Sequence, residues 1–266
     1  MTLVMGIVNV TPDSFSDGGR YVDPDAAIAH ALQLRAQGAA IIDVGGESTR
    51  PGAERVARRV EEERVLPVVA ALSEAGATVS IDTMNASTAL AAVNAGARIV
   101  NDVSGGLADA DMLSAIAPTG ADVVLGHWRG HSDDMYAGAT YRDIGREVAD
   151  ELRARIEAAA AAGIAPSRVI LDPGVGFGKR GPQNWDVLRA VPQLTGLGPR
   201  VLVGTSRKRF LADALGDDAS LERRDLATAV TSVLAAQAGA WAVRVHDAAT
   251  TRDALRVAEC WEGTAS

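Results

Sequence analysis

The stretch Thr78–Asp102, TVSIDTMNASTALAAVNAGARIVND, holds one complete repeat of the fold. It opens on the apolar run Thr78–Ile81, passes a polar residue at Asp82, and crosses an Ala/Leu-rich amphipathic segment that stops at Gly96. A second apolar run, Arg98–Val100, then leads into Asn101-Asp102. Apolar runs that are continuous rather than alternating belong to parallel strands covered on both faces. A glycine closing a helical segment supplies the left-handed cap that other residues adopt only at a steric cost. The stretch therefore reads as strand, helix, parallel strand.

The same alternation extends in both directions until it has occurred eight times. The apolar runs are Val4–Val10, Ala40–Val44, Thr78–Ile81, Arg98–Val100, Asp122–Leu125, Arg168–Leu171, Arg200–Val203 and Ala242–Val245. Their starts are roughly 34 residues apart on average, which suits a strand–helix–strand unit of about 30 or more. Between them lie amphipathic segments; Ile144, Val148, Leu152 and Ile156 recur at the four-residue step of one helix face. Gly38, Gly76, Gly96, Gly163 and Gly239 each stand just ahead of the next strand as expected caps. Eight units in 266 residues predict an α/β protein, a single (β/α)8 barrel domain over 1–266, in preference to an open doubly wound sheet.

Composition narrows the function. The chain is 47% apolar and carries 26 Lys+Arg against 34 Asp+Glu, a formal net charge of −8. That apolar fraction excludes a disordered chain, and the single Cys260 excludes a disulfide scaffold. No apolar run approaches the roughly 18 residues of a membrane helix, and Met1–Val4 has no basic flank of the signal-peptide kind. A cytoplasmic protein without a membrane or nucleic-acid partner is expected, and any anionic ligand must meet a local cluster of cations.

Chemistry in such a barrel sits at the C-terminal ends of the strands, and there the sequence turns polar every time. The eight exits are Asn9; Glu47-Ser48-Thr49-Arg50; Asp82; Asn101-Asp102; His127; Asp172; Ser206-Arg207-Lys208; and Arg244, His246 and Asp247. Singly, Asp82 or Asn85 reads equally well as a helix cap, Asn101 as a turn residue and His246 as a structural hydrogen-bonder. Their convergence on one rim is the informative feature. Asp82, Asn101 and Asp172 suit a heterocycle with an amino-pyrimidinone edge, since a carboxylate accepts two parallel N–H bonds. Arg50, Lys208, Arg244 and His246, with the hydroxyls of Thr49 and Ser206, suit phosphate oxygens. Asn9 offers the neutral oxygen that Mg²⁺ accepts beside water and phosphate. The Gly-containing polar loops Thr11–Gly19 and Gly45–Gly52 are of the type that closes over a reacting centre.

These residues carry a family resemblance. Met5–Gly19, MGIVNVTPDSFSDGG, is similar to the first loop of the dihydropteroate synthases, and Gly45–Gly52, GGESTRPG, to their second. Ser80–Thr83, Val100–Gly106, Leu171–Phe177, Gly204–Lys208 and Arg244–Asp247 continue the resemblance in order along nearly the whole chain. The Ala-rich style and the Arg-Lys-Arg-Phe run at 207–210 are similar to actinobacterial members. Each motif is weak alone, whereas the ordered set is specific.

The resemblance implies a transferase of folate biosynthesis that joins (7,8-dihydropterin-6-yl)methyl diphosphate to 4-aminobenzoate and releases pyrophosphate. Carried over by position, Asp82, Asn101 and Asp172 hold the pterin, Lys208 assists, and Arg244 stacks on the ring. Asn9 binds Mg²⁺, and Asn9, Thr49, Arg244 and His246 meet the diphosphate. Arg50, Pro51, Phe177, Lys208 and Arg209 line the aminobenzoate pocket where sulfonamides compete. Asp17, Lys208, Arg244 and His246 act on the reacting centre, with Asp17 offsetting positive charge on the pterin. Departure of diphosphate can precede attack, and the arylamine, already neutral, needs no strong base. The resemblance also implies a homodimer through the late helices. A silent pterin-binding paralogue and a pterin-dependent methyltransferase domain share parts of this pattern, but GGESTRPG and Ser206-Arg207-Lys208 are intact and favour the synthase. An aldolase-type barrel with Lys208 as a Schiff-base amine is the reading that sets the resemblance aside.

Two positions depart from the family pattern. Gly126 stands before His127 where Met is usual, which either enlarges the pterin floor or makes room for another group. Gly178 stands where Ala is usual beside Phe177. Elsewhere, Cys260 is expected to be a small buried hydrophobe, Trp185, Trp241 and Trp261 packing residues, and Arg223-Arg224-Asp225 a solvated or interface charge cluster. The segment Trp128–Tyr141 reads as an exposed loop rather than a lid.

Overall fold

The computed structural model describes residues 1–11, 23–47, 56–131, 136–216 and 218–264. Eight parallel strands close on themselves in chain order: β1 (Leu3–Asn9), β2 (Ile41–Gly45), β3 (Val79–Asp82), β4 (Ile99–Asp102), β5 (Asp122–Gly126), β6 (Val169–Asp172), β7 (Arg200–Val203) and β8 (Ala242–Val245). Around them run α1 (Pro24–Ala36), α2 (Arg58–Glu74), α3 (Ala86–Asn94), α4 (Met112–Ile116), α5 (Ile144–Ala161), α6 (Gln183–Arg189), α7 (Val191–Thr195), α8 (Arg209–Leu215), α9 (Leu221–Gln237) and α10 (Ala248–Glu262). The expected (β/α)8 barrel is therefore present. Its strands end within one or two residues of the apolar runs, because the polar exit residue itself often fills the last ladder position. No described helix is long and apolar enough to cross a membrane.

The two-residue period of each strand sorts its side chains between the barrel interior and the helices. Ile42, Val44, Val79, Ile81, Val123, Leu125, Val169, Leu171, Val201, Val203 and Val243 join the helix-facing core. Met5, Ile41, Ile99, Val124, Ile170, Leu202 and Ala242 form a separate apolar plug inside the barrel. One step of two residues above that plug lie Asp43, Asn101, Asp172 and Arg244. The same alternation that fills the lower barrel with aliphatic groups thus lifts polar groups into its mouth. Across β1 to β4, Asn9 pairs with Gly45, Gly45 with Asp82, and Asp82 with Asn101, so these four share one level of the rim.

Helix ends follow the sequence signals. Gly38, Gly76, Gly96, Gly163 and Gly239 all have positive φ, from 73° to 112°. Along α5, Ile144, Val148 and Leu152 are buried and Ile156 packs at the edge of the core. Each buried aliphatic side chain of this kind contributes about 1.5–3 kcal/mol.

Three expectations on the late helices are corrected. Cys260 is exposed, not buried. It lies five residues beyond the buried Leu255, about 140° around a helix from the inward stripe. Trp261 follows it and is 89% exposed, whereas Trp185 packs edge-to-face on Phe210 with centroids 4.8 Å apart. Trp241 packs at the foot of the barrel plug, with the Arg200 guanidinium 4.7 Å from its ring centroid. Asp225 is buried, not solvated, and pairs with Arg207.

Candidate active site

Arg244 projects from β8 into the mouth and meets two carboxylates. Its Nε donates to Asp43 Oδ2 at 2.6 Å and its Nη2 to Asp82 Oδ2 at 2.6 Å. Asn101 Nδ2 donates to the same Asp43 oxygen at 3.0 Å. Asp43 therefore holds both an amide and a guanidinium in place from below. Among the described residues its other oxygen, Oδ1, and Ser80 Oγ are buried without a hydrogen-bond partner, leaving unused acceptor capacity inside the barrel. Burial pushes the Asp82 carboxyl up to about 7; the Arg244 charge opposes this and the Asp43 carboxylate adds to it. Burial works against the Arg244 charge as well, but Asp43 and Asp82 outweigh it and hold the guanidinium above its ordinary range.

The opposite side of the mouth is built by the loop after β6 and the turn after β7. Asp172 Oδ1 accepts the Gly174 N–H at 2.7 Å. Burial raises the Asp172 carboxyl, against the nearby Lys208 charge. Lys208 Nζ donates to the Val175 carbonyl and lies 4.9 Å from the Phe177 ring centroid, a cation–π distance. Burial lowers the Lys208 amine to about 8, with Asp172 opposing and Arg244 adding to the shift. Gly204 joins the two sides. A Cβ placed there would stand 3.6 Å from Arg244 Cβ and 3.9 Å from Lys208 Nζ. His246 completes this side, its Nδ1 2.8 Å from Ser206 Oγ, which also accepts the His246 backbone N–H at 3.1 Å.

Beneath the β6 loop lies a buried lysine that sequence reading passed over. Lys179 Nζ stands 2.9 Å from His127 Nδ1 and donates to the carbonyls of Gly174 and Phe177 at 3.0 Å each. His127 turns its Nε2 to Glu151 Oε2 at 2.9 Å, and Arg129 binds Glu151 as well. Burial and the Lys179 charge push the His127 imidazole down to about 4, so the neutral ring accepts at Nδ1 and donates at Nε2. Burial lowers Lys179 to about 7, with Asp172 opposing. His127 thus supports the loop from outside the mouth. Arg129 also lies 3.9 Å from the Tyr141 ring centroid, and Tyr141 donates to the Gly178 carbonyl at 3.0 Å. The described part of Trp128–Tyr141 is accordingly tied to the β6 loop.

Gly126 does not open a larger floor. A Cβ at this position would fall 2.3 Å from the Val103 carbonyl oxygen, so the turn after β4 already occupies the space. Asp102 shapes that turn. Its carboxylate accepts from Ser104 N and Oγ and from Gly106 N, at 2.8, 2.6 and 2.6 Å. Asn85 precedes α3 but donates to Glu61 Oε2 at 2.7 Å instead of capping it.

Of the residues expected in the site, Asp82, Asn101, Asp172, Phe177, Lys208, Arg244 and His246 come together around the mouth, with Asn9 on its rim. Arg209 does not join them: it opens α8 with its side chain 94% exposed, 3.8 Å from Asp213. Asp17, Thr49, Arg50 and Pro51 lie outside the described residues.

The sequence matches the pterin binding enzyme family over residues 5–246. It is 52% identical over 263 residues to the dihydropteroate synthase of Mycobacterium leprae, covering 97% of this chain and 93% of that one. Among solved structures it superposes on the Xanthomonas albilineans dihydropteroate synthase with 4-aminobenzoic acid at a TM-score of 0.91 and 43% identity, covering 98% of this chain and 93% of that one. The same enzyme in complex with 7,8-dihydropteroate gives a TM-score of 0.88 at 40% identity, with 98% and 94% covered. With its closed barrel, its acidic and amide groups at one mouth and these similarities over nearly its full length, the chain belongs to the pterin-binding enzyme family, on its dihydropteroate synthase branch.

Proposed function

We propose that the barrel mouth condenses (7,8-dihydropterin-6-yl)methyl diphosphate with 4-aminobenzoate to give 7,8-dihydropteroate and pyrophosphate. The observation that carries this reading is the convergence at Gly204 and Arg244 of an acidic and amide set, Asp82, Asn101 and Asp172, with a cationic set, Lys208, Arg244 and His246. The first set fits the amino-pyrimidinone edge of a pterin. The second fits the departing diphosphate, where fixed cations stabilise charge developing on the leaving group.

On this reading pterin entry replaces the Arg244 contact on Asp82, and the Asp43 carboxylate keeps the guanidinium at the rim, free to stack on the ring. Lys208 faces both the pterin and the aminobenzoate, whose aromatic ring lies against Phe177. His246, oriented by Ser206, donates to the diphosphate. Arg209 serves the outer edge of the aminobenzoate site, and Asp17, Thr49, Arg50 and Pro51 belong to the first two loops as the family pattern implies. The amine attacks as a neutral nucleophile, so the mouth requires no catalytic base of the serine- or cysteine-hydrolase kind.

Mg²⁺ fits the donor set as a partly hydrated ion. Among the described residues no three acidic, His or Cys side chains converge as a metal cage, whereas Asn9 at the end of β1 offers one neutral oxygen at the level of Asp82. Such an ion takes its remaining ligands from water and phosphate. When bound it supplies charge stabilisation to the leaving diphosphate.

A homodimer is part of the proposal. α9 exposes Leu226, Val230 and Leu234 at four-residue steps, and neighbouring α10 exposes Val257 and Trp261. A contiguous apolar face of this kind is the usual mark of an interface, and sedimentation is expected to show two chains per particle. Action in the cytoplasm, by residues 1–266 as one domain, completes the reading. Incubation with both substrates and Mg²⁺, followed by detection of dihydropteroate, tests it; absence of product contradicts it.

A further inference from the structure

Arg207 is the one non-glycine residue of positive φ among the described residues, at 57°. An L side chain in this conformation pays a steric cost that glycine avoids. Such a conformation persists only where its surroundings over-determine it. Here the surroundings are one face of α9. Asp225 receives the Arg207 guanidinium through two parallel bonds, Nε to Oδ1 at 2.7 Å and Nη2 to Oδ2 at 2.8 Å. Thr228 Oγ1 accepts the Arg207 backbone N–H at 3.2 Å, and Thr231 Oγ1 lies 2.8 Å from Thr205 Oγ1. These three residues sit at three-residue steps on α9 and are all buried. His30 on α1 also faces Arg207, and burial and the guanidinium charge lower its imidazole.

The reversal at Arg207 decides where its neighbours point. Ser206 turns to His246 and Lys208 turns to Val175 and Phe177, whereas Arg207 between them turns away to α9, as Thr205 does. We propose that Asp225, Thr228 and Thr231 form a clasp that holds residues 205–208 in the left-handed turn, making Asp225 a positioning residue for Lys208 and Ser206. This rests on the functional reading above, since it gives the turn its purpose. The clasp acts through backbone conformation, so the charge of Arg207 matters only as the handle by which α9 grips the turn.

Substitutions at 207 and 225 separate conformation from charge. Arg207→Ala removes the handle and leaves a residue that resists positive φ; Arg207→Gly removes the same handle but accepts that φ. The expected result is about a tenfold lower kcat/KM for 4-aminobenzoate in Arg207→Ala and a return to within about threefold of the parent in Arg207→Gly. Asp225→Ala is expected to cost about fivefold in the parent background and nothing further in the Arg207→Gly background. Amide exchange over 204–210 should follow the same order, fastest in Arg207→Ala, and reads the turn without turnover. Equal losses or equal exchange in the two 207 variants overturn the clasp, as does an Asp225→Ala cost that persists in the glycine background. Unchanged kcat and KM with only a lowered melting temperature would assign the pair to fold stability alone and equally overturn it. A parent enzyme that forms no product contradicts the functional reading, while the exchange measurement still decides the clasp.

Discussion

Arg244 and Asp82 stand 162 residues apart in the chain and 2.6 Å apart in the mouth of the barrel. The contact bridges β8 and β3, and Asp43 on β2 grips the same guanidinium from beneath. A cation shared between two buried carboxylates can pass from one partner to the other without losing its charge compensation. That makes Asp82 available to an incoming heterocycle while Arg244 stays at the rim.

Removing the lower partner should therefore be costly. Asp43→Ala is expected to lower unfolding free energy by about 2–3 kcal/mol, read by urea denaturation, because it leaves Arg244 and Asn101 without their shared acceptor. It should also raise KM for the pterin diphosphate more than it lowers kcat. An unchanged KM would place Asp43 outside the support of the site.

Lys179 supports the other wall through two carbonyls. Lys179→Met takes the lysine donor from the Phe177 oxygen, leaves the Gly174 oxygen with the Phe177 N–H alone, and loosens the loop that carries Phe177 and the Val175 contact to Lys208. The expected outcome is a loss of about 2 kcal/mol in stability and, in steady-state kinetics, a KM for 4-aminobenzoate about tenfold higher.

The pH dependence follows from the direction of the shifts. Asp82 and Asp172 must be ionised to accept pterin N–H groups, and burial raises both, Asp82 to about 7. Lys208 must be protonated to meet an anion, and burial lowers it to about 8. The kcat/KM for pterin diphosphate should thus rise as pH passes upward through the raised carboxyl range and fall again above about 8. In Asp82→Asn the acid limb should move down or vanish while the alkaline limb remains. A profile flat from pH 5 to 9 would contradict this assignment.

Gly126 offers a steric test. Gly126→Met drives a Cβ to 2.3 Å from the Val103 carbonyl oxygen. Overpacking of this kind costs about 1–3 kcal/mol, so a lower melting temperature is expected. A more stable variant would mean that the turn after β4 yields readily.

Much of this was legible in the letters because both levels of order are periodic. Strand and helix repeats announced the barrel, and the polar residue ending each apolar run announced the rim. Asp43 is hard to see in the letters because it sits inside the run Ala40–Val44 rather than beyond its end; its signal is a lone charge two residues above an inward-facing Ile. Lys179 lies in a loop, where no period says whether a side chain turns in or out. Asp225 reads as part of a solvated or interface cluster beside two arginines, and only the approach of the β7 turn reveals its partner, Arg207. Cys260 and Trp261 face outward because helical phase, not residue type, decides which side of α10 is buried.

The most direct measurement compares product formation by the parent, Lys208→Ala and Asp172→Ala, each shown by circular dichroism to be folded, with both substrates and Mg²⁺ present. The expected result is dihydropteroate from the parent and none above background from either variant. Turnover at the parent's rate by a folded Lys208→Ala or Asp172→Ala would contradict the placement of the reaction in this mouth.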